Sequence, residues 1–205
     1  MGSYSCEDHL LPFLEKKHVE EGLEITKKVA NALYKETGVY YNGIMYAGLI
    51  LTKNGVKLIE YNARFGDPEA MNVLPLMETD FVEVCNAIIS QNLHKIRIKF
   101  SKKATVCKYV VPNGYPGNPV KEKIEIGNVK DARLYYASVD KREDGLYMTG
   151  SRAIALLGIG KNLEEAEQKA ENVAKSIKGP VFYREDIGTR KLIEKRVKHM
   201  KELMK

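Results

Sequence analysis

The sequence predicts an α+β fold, an antiparallel sheet with helices followed by a smaller α+β domain. Three observations predict it. The first half sets a helical apolar rhythm directly before a two-residue one. A strong turn signal, Asn54-Gly55, separates two strand-like runs. The second half then alternates apolar strand-like runs with one capped helical run.

Val19, Leu23, Thr26, Ala30 and Leu33 recur at helical spacing with Gly38 as a stop, which predicts one amphipathic helix from Lys17 to Thr37. Ile44 to Thr52 and Val56 to Asn62 read as strands, with Asn54-Gly55 as the two-residue turn of an antiparallel hairpin. Thr79 is expected to cap a helix through Phe81, Val84, Cys85 and Ile88. The charged run from His94 to Lys103 marks a domain boundary. Beyond it, strands are expected near Ala104 to Val111, Leu134 to Val139 and Arg152 to Ile159, and a helix from Leu163 to Ile177 with Asn162 as cap and Glu165 completing the capping arrangement. Pro112 to Pro119 is an irregular loop, either a rigid connection or a binding loop. Thr189 opens a basic terminal helix. The expected division is therefore 1–97, 98–190 and 191–205.

The chain has 205 residues, 44% hydrophobic and 29% charged, enough for a packed core in one or two domains. Its longest apolar runs fall far short of the roughly 20 residues a bilayer crossing needs, so no membrane span is expected. The segment Met1 to Leu14 lacks a basic stretch followed by an apolar run and does not read as a secretory signal. Cys6, Cys85 and Cys107 have no metal-ligand spacing and cannot all pair, which fits a reducing compartment, so a cytoplasmic location is expected. Of the net charge of +6, the segment from Arg190 to Lys205 carries +5, with seven Lys or Arg against Glu194 and Glu202. A solvated basic helix is expected there rather than a nucleic-acid arm.

The densest chemical signal is Glu60-Tyr61-Asn62-Ala63-Arg64-Phe65-Gly66-Asp67-Pro68-Glu69. Strand alternation predicts Glu60 and Asn62 on one face, with Val56 and Leu58 further back on that face and Lys57, Ile59 and Tyr61 on the other. A carboxylate oxygen beside an amide oxygen is hard ligation suited to magnesium, which takes its other ligands from water and substrate phosphates. Arg64 continues the alternation, and its planar guanidinium can hold a phosphate or carboxylate through two hydrogen bonds. Gly66 permits a sharp turn and Pro68 then constrains Asp67 and Glu69, whose carboxylates could bind an ammonium group. The same charges also read as a surface ion-pair cluster beside a hairpin. None of His9, His18, His94 and His199 lies within the motif, and Tyr40, Tyr41 and Tyr46 read as core and hairpin packing rather than base-stacking groups.

This run, together with Met1-Gly2-Ser3-Tyr4-Ser5, Tyr46-Ala47-Gly48-Leu49, Gly114-Tyr115-Pro116-Gly117, Gly150-Ser151-Arg152 and Tyr183-Arg184-Glu185-Asp186-Ile187-Gly188, resembles the phosphoribosylamine–glycine ligase (glycinamide ribonucleotide synthetase) family of the ATP-grasp superfamily. The resemblance spans the chain up to its basic tail. Met71 departs from it where the family carries glutamine or glutamate, and Ser151 where it carries glycine.

The resemblance implies the second part of an ATP-grasp core followed by a carboxy-terminal domain, with ATP and Mg²⁺ or Mn²⁺ as cofactors. It implies glycine and 5-phosphoribosylamine as substrates, joined through an acyl phosphate. Glu60 and Asn62 would be the metal ligands. Arg64 would face the phosphates or the acyl phosphate as the catalytic and nucleotide-binding residue, and Gly66, Asp67 and Glu69 would form a substrate loop. The chain starts inside the family pattern, so the amino-terminal half of the ligase is expected in cis or in trans, and the chain alone is expected to be inactive. Two other readings are a non-catalytic assembly module with a ligase-like fold and a basic nucleic-acid-binding protein that uses the tail.

Overall fold

A computed structural model describes residues 1–205. In chain order the elements are β1 (Gly2–Ser5), α1 (Lys16–Thr37), β2 (Tyr46–Thr52), β3 (Gly55–Asn62), α2 (Glu69–Val73), α3 (Phe81–Ile89), β4 (Ala104–Pro112), β5 (Lys123–Ile124), β6 (Ala132–Tyr136), β7 (Val139–Arg142), β8 (Gly145–Met148), β9 (Ile154–Gly160), α4 (Leu163–Ala174), β10 (Val181–Phe182) and α5 (Arg190–Leu203). They form an α+β architecture of three antiparallel sheets: the ribbon β2-β3, a five-stranded sheet in the order β1-β4-β9-β6 with β10 also on β4, and a small sheet β5-β8-β7.

Helix α1 forms where the spacing predicts it. Its first turn is closed by the Glu15 N–H donating to His18 Nδ1 at 3.0 Å, which gives the buried His18 a structural task. Its end is set by Gly38 at φ +70°, whose N–H reaches Tyr34 O. One face of the helix backs the ribbon. Gly22 lies so close to it that a Cβ there would sit 2.7 Å from Leu49 Cδ1, Thr26 Oγ1 accepts from Tyr61 Oη at 2.9 Å, and Glu21 accepts from the Val56 N–H at 3.0 Å.

The hairpin turn is displaced by one residue from its expected place. Lys53 and Asn54 make the turn, and Gly55 opens β3 at φ +84°, paired with Thr52. Asp80, not Thr79, caps α3, accepting from the Val82 and Glu83 N–H groups; Thr79 instead accepts from Lys99 N at 2.8 Å. Both are hydroxyl or carboxylate neighbours of the same helix start, and the backbone bridge between Met77 and Phe100 draws Thr79 away. The expected strand from Leu134 to Val139 is two strands, since β6 ends at Tyr136 and Val139 begins β7. Asn162 and Thr189 cap α4 and α5 as expected, and the Glu165 carboxylate reaches back to the Lys161 N–H. Pro112 to Pro119 turns tightly around Gly114 at φ +82°, where a Cβ would lie 2.1 Å from Asn118 O.

Every residue of β4 is buried, so the large sheet is covered on both faces along that strand. On one face α4 comes into near contact because glycine and alanine line it: a Cβ at Gly158 would lie 1.9 Å from Ala166 O. Lys108 projects into this same interface with no exposed side chain. Its ammonium donates to Glu167 Oε1 at 2.6 Å, to Glu171 Oε2 at 2.6 Å and to Glu185 O at 2.8 Å. Tyr183 Oη donates to Glu171 Oε1 at 3.1 Å. Burial opposes ionisation of Glu171, but Lys108 and Tyr183 outweigh it and hold the carboxyl below its usual value.

The opposite face carries Cys107, Tyr109, Val111, Ala155 and Leu157, with Met71 packed against them. An apolar residue at position 71 is thus explained by what it covers. Beside it the buried Asn72 accepts from Ser3 Oγ and donates to Thr105 Oγ1 at 3.0 Å, so α2, β1 and β4 are clasped by one amide. β1 comes from the first 97 residues yet pairs along β4, from Gly2 opposite Lys108 to Ser5 opposite Thr105. In contrast, no residue of α5 is buried. No helix is long and apolar enough to cross a membrane, and all three cysteines are free.

Gly158→Ala is expected to lower stability by about 3 kcal/mol, since backbone rather than a movable side chain occupies the space; a denaturant midpoint equal to that of the parent protein would refute the packing argument. Lys108→Met should cost about 3–5 kcal/mol near pH 7, because two largely buried carboxylates lose their cation. The sign of its pH dependence follows from Glu171. A lowered folded pKa gives stability that is present above the unfolded pKa and is lost as pH falls through the folded one. The gap between variant and parent should therefore narrow toward about pH 4, where urea titrations would check it.

Candidate functional site

The site begins with an irregularity in β3. Register along the ribbon runs Leu51↔Val56, Ile50↔Lys57 and Leu49↔Leu58, then jumps to Gly48↔Glu60, Ala47↔Tyr61 and Tyr46↔Asn62, leaving Ile59 without a partner. A bulge of this kind reverses the alternation of the strand that carries it. Before it, Val56 and Leu58 share the face of Leu49 and Leu51, toward α1. After it, Tyr61 takes that face and bonds Thr26, while Glu60 and Asn62 turn to the other. The expected sharing of one face by Glu60, Leu58 and Val56 is thereby overturned, and Ile59 lies beside Glu60 on the site side. The pairing of Glu60 with Asn62 survives, because the bulge precedes both.

Glu60 and Asn62 touch, with Asn62 Nδ2 donating to Glu60 Oε1 at 3.3 Å. Gly48 stands opposite Glu60, where a Cβ would press to 3.2 Å on Glu60 Cγ. Both side chains border an open cavity of about 620 Å³ that Tyr46, Arg64, Gly66, Asp67, Glu69 and Arg152 also line. Glu60 is exposed and Asn62 half-buried. Two hard oxygen donors side by side on an accessible face suit magnesium. Magnesium keeps several waters and takes further ligands from substrate phosphates, so it needs few protein oxygens.

The loop after β3 delivers the remaining groups. Arg64 donates from Nη1 to Phe65 O at 2.6 Å, and Phe65 packs its ring on Phe81 of α3 at 6.2 Å between centroids. Gly66 is buried with an ordinary negative φ, so its role is space rather than a special turn. A Cβ there would meet Glu69 Oε2 at 2.4 Å and Tyr46 Cε1 at 2.9 Å. The Glu69 carboxylate and the Tyr46 hydroxyl thus lie together, and burial, followed by Glu69, pushes the Tyr46 phenol up to about 12.

Asp67 is held differently. Its Oδ1 accepts from Tyr109 Oη of β4 at 2.8 Å, and its Oδ2 lies 3.0 Å from Arg152 Nη1, just before β9. Burial and this hydrogen bond raise the Tyr109 pKa above its ordinary value. Both oxygens of Asp67 therefore have partners on the large sheet. Tyr109 and Arg152 were not singled out by spacing; only the Gly150-Ser151-Arg152 resemblance points near them, because their relation to Asp67 spans 42 and 85 positions of sequence. The cavity gathers three carboxylates and two guanidinium groups. Such a lining can hold a cation and an oxyanion at once. Of the histidines, His9, His94 and His199 are exposed and His18 caps α1, so none borders the cavity. Tyr40 and Tyr41 are exposed rather than packed, with Tyr40 stacked on Tyr34, whereas Tyr46 lines the cavity.

Two family models match the chain: the phosphoribosylglycinamide synthetase ATP-grasp (A) domain over residues 1–70 and the phosphoribosylglycinamide synthetase C domain over residues 105–190. A phosphoribosylamine–glycine ligase of Methanococcus vannielii is 52% identical over 209 residues, covering 100% of this chain and 47% of that protein. One of Methanosarcina acetivorans is 49% identical over 204 residues, covering 99% and 46%. The chain thus spans about half the length of the curated relatives it matches. The crystal structure of the phosphoribosylamine–glycine ligase of Thermotoga maritima superposes with a TM-score of 0.71 at 26% identity, covering 91% of this chain and 46% of that one. With the A-domain and C-domain matches following one another along most of its length, this chain belongs to the phosphoribosylglycinamide synthetase family.

Proposed function

We propose that the chain is part of an ATP-dependent ligase that joins glycine to 5-phosphoribosylamine through glycyl phosphate, giving glycinamide ribonucleotide in de novo purine biosynthesis. The observation that carries this reading is the pairing of Glu60 with Asn62 on the open face of β3, with Arg64 two residues on, in a chain of this family. The relatives named above bear that activity in their names.

In the proposed reaction a glycine carboxylate oxygen takes the terminal phosphoryl group of ATP and ADP leaves. The amine of 5-phosphoribosylamine then attacks the acyl carbon, loses a proton and expels phosphate. Mg²⁺ or Mn²⁺, when bound, would neutralise phosphate charge, and Glu60 and Asn62 are the residues that would hold it. Arg64 has one nitrogen on Phe65 O and offers the rest of its guanidinium to the transferring phosphoryl or acyl phosphate. Gly66 keeps Glu69 and Tyr46 together, and Asp67 and Glu69 shape the loop beside the substrates. Alignment and charge neutralisation do the catalytic work, with no protein nucleophile required.

The remaining half of the ligase, in cis or in trans, is proposed to complete the nucleotide cleft. Exposed apolar side chains on this half support that, with Val19 at 53% and Leu23 at 54% on α1, and Ile50 at 50% and Ile59 at 65% on the ribbon. We keep 1–97 as the core portion, 98–190 as the carboxy-terminal domain and 191–205 as the basic helix, and place the enzyme in the cytoplasm, a setting its three unpaired thiols suit.

Mixed with a polypeptide carrying the upstream half, the chain should support glycine-dependent ADP formation, and alone it should not. Turnover by the chain alone would refute the need for the other half. In the mixed system Glu60→Ala should reduce turnover by at least about a hundredfold with the fold intact by circular dichroism. Full activity in that variant would remove Glu60 from the metal site.

A further inference from the structure

Arg152 is the one cavity-lining residue contributed from beyond β4, and the proposed reaction gives it no task. Its Nη1 is paired with Asp67 at 3.0 Å and also meets Met1 Sδ at 3.2 Å, while its guanidinium carbon lies 5.3 Å from the centre of the Tyr109 ring. Nε and Nη2 have no protein partner. A guanidinium has five N–H donors in a fixed plane, so an ion pair through Nη1 alone leaves the Nε and Nη2 donors free for a ligand. Asp67 is in turn held by Tyr109 Oη at 2.8 Å. The Asp67 carboxylate and the Tyr109 ring thus hold the guanidinium in place from two sides, and its side chain is 28% exposed, partly desolvated but open to a ligand.

We propose that Arg152 is a second oxyanion-binding residue of the cavity, aimed by Asp67 and Tyr109, whose unpaired donors take a carboxylate or phosphate group of a substrate. The proposal deepens the ligase reading and rests on it for the identity of that substrate. Arg64 stands on the loop that follows the ribbon and Arg152 just ahead of β9 of the large sheet, so the two cations approach the cavity from different parts of the fold. An anion held by both would bridge them. Asp67 acts here as a positioning residue rather than as a substrate ligand, because both of its oxygens are already engaged.

The test has two arms. In the mixed ligase, the Michaelis constants for ATP, glycine and 5-phosphoribosylamine are measured for Arg152→Gln and Arg152→Lys. One of the three should rise by roughly ten- to hundredfold in Arg152→Gln, with partial rescue in Arg152→Lys, and the constant that moves identifies whether the glycine carboxylate or a phosphate is bound. Tyr109→Phe, which keeps the ring, should move the same constant by a smaller factor. A fall in kcat with all three constants unchanged overturns the proposal. The second arm follows the Arg152 Nε–H resonance of the chain itself by NMR while inorganic phosphate or glycine is added. A saturable shift that is lost in Asp67→Asn supports the proposal even if the wild-type mixture shows no ligase turnover, an outcome that would sink the ligase reading alone. No shift with either anion overturns the proposal whatever the turnover.

Discussion

All nine residues of β4 are shielded from water, and that requirement dictates what must lie on each of its faces. A strand covered on both sides needs two partners of different kinds. On one side α4 supplies small residues that let backbones approach, and it also supplies Glu167 and Glu171, without which a lysine at the centre of the strand would be an unpaired buried charge. On the other side the cover is α2 and the loop that leads into it. Because that loop carries Arg64 and Asp67 and α2 opens with Glu69, the burial of β4 and the placement of the site are one problem with one solution.

The loop is attached at three chemically distinct points. Met71 contributes apolar contact, Asn72 a satisfied buried amide, and Asp67 a charge shared between Tyr109 and Arg152. Apolar contact alone would permit the loop to slide. The buried Asn72 amide tolerates little displacement, since sliding would leave it without a partner, and Asp67 adds a hydrogen bond and an ion pair to the large sheet. This accounts for how an exposed carboxylate and an exposed guanidinium, Asp67 and Arg64, can be part of a defined geometry. It also links the ribbon, where Glu60 and Asn62 stand, to the large sheet through covalent neighbours rather than through a broad interface.

The cavity combines carboxylates that attract a cation with guanidinium groups that attract phosphate, and the family to which the chain belongs is named for a ligase built around an ATP-grasp domain. A lining of mixed sign can hold a cation through its carboxylates and an oxyanion through its guanidinium groups, which a field of one sign could not do. The exposed basic face of α5 takes no part in this arrangement. Its residues pack little against the body, and only Arg196, over the Tyr4 ring at 5.6 Å, makes a defined aromatic contact.

Much of the local structure was legible in the sequence. The helical spacing of α1, the existence of the hairpin, the caps Asn162 and Thr189, and the common side of Glu60 and Asn62 all depend on residues a few positions apart, where backbone geometry leaves few choices. The same holds for the polar run from Glu60 to Glu69, whose chemistry shows in its composition. What the tertiary structure alone decided lies at longer range. The bulge at Ile59 reversed the faces of Val56 and Leu58, because α1 must cover the apolar end of the ribbon while Glu60 stays open to solvent. β1 joined β4 across more than a hundred residues, Lys108 met its carboxylates across about sixty, and Asp67 found Tyr109 and Arg152. Periodicity reports only which side of its own element a residue takes, whereas such partnerships depend on which surfaces remain uncovered once all the elements have packed.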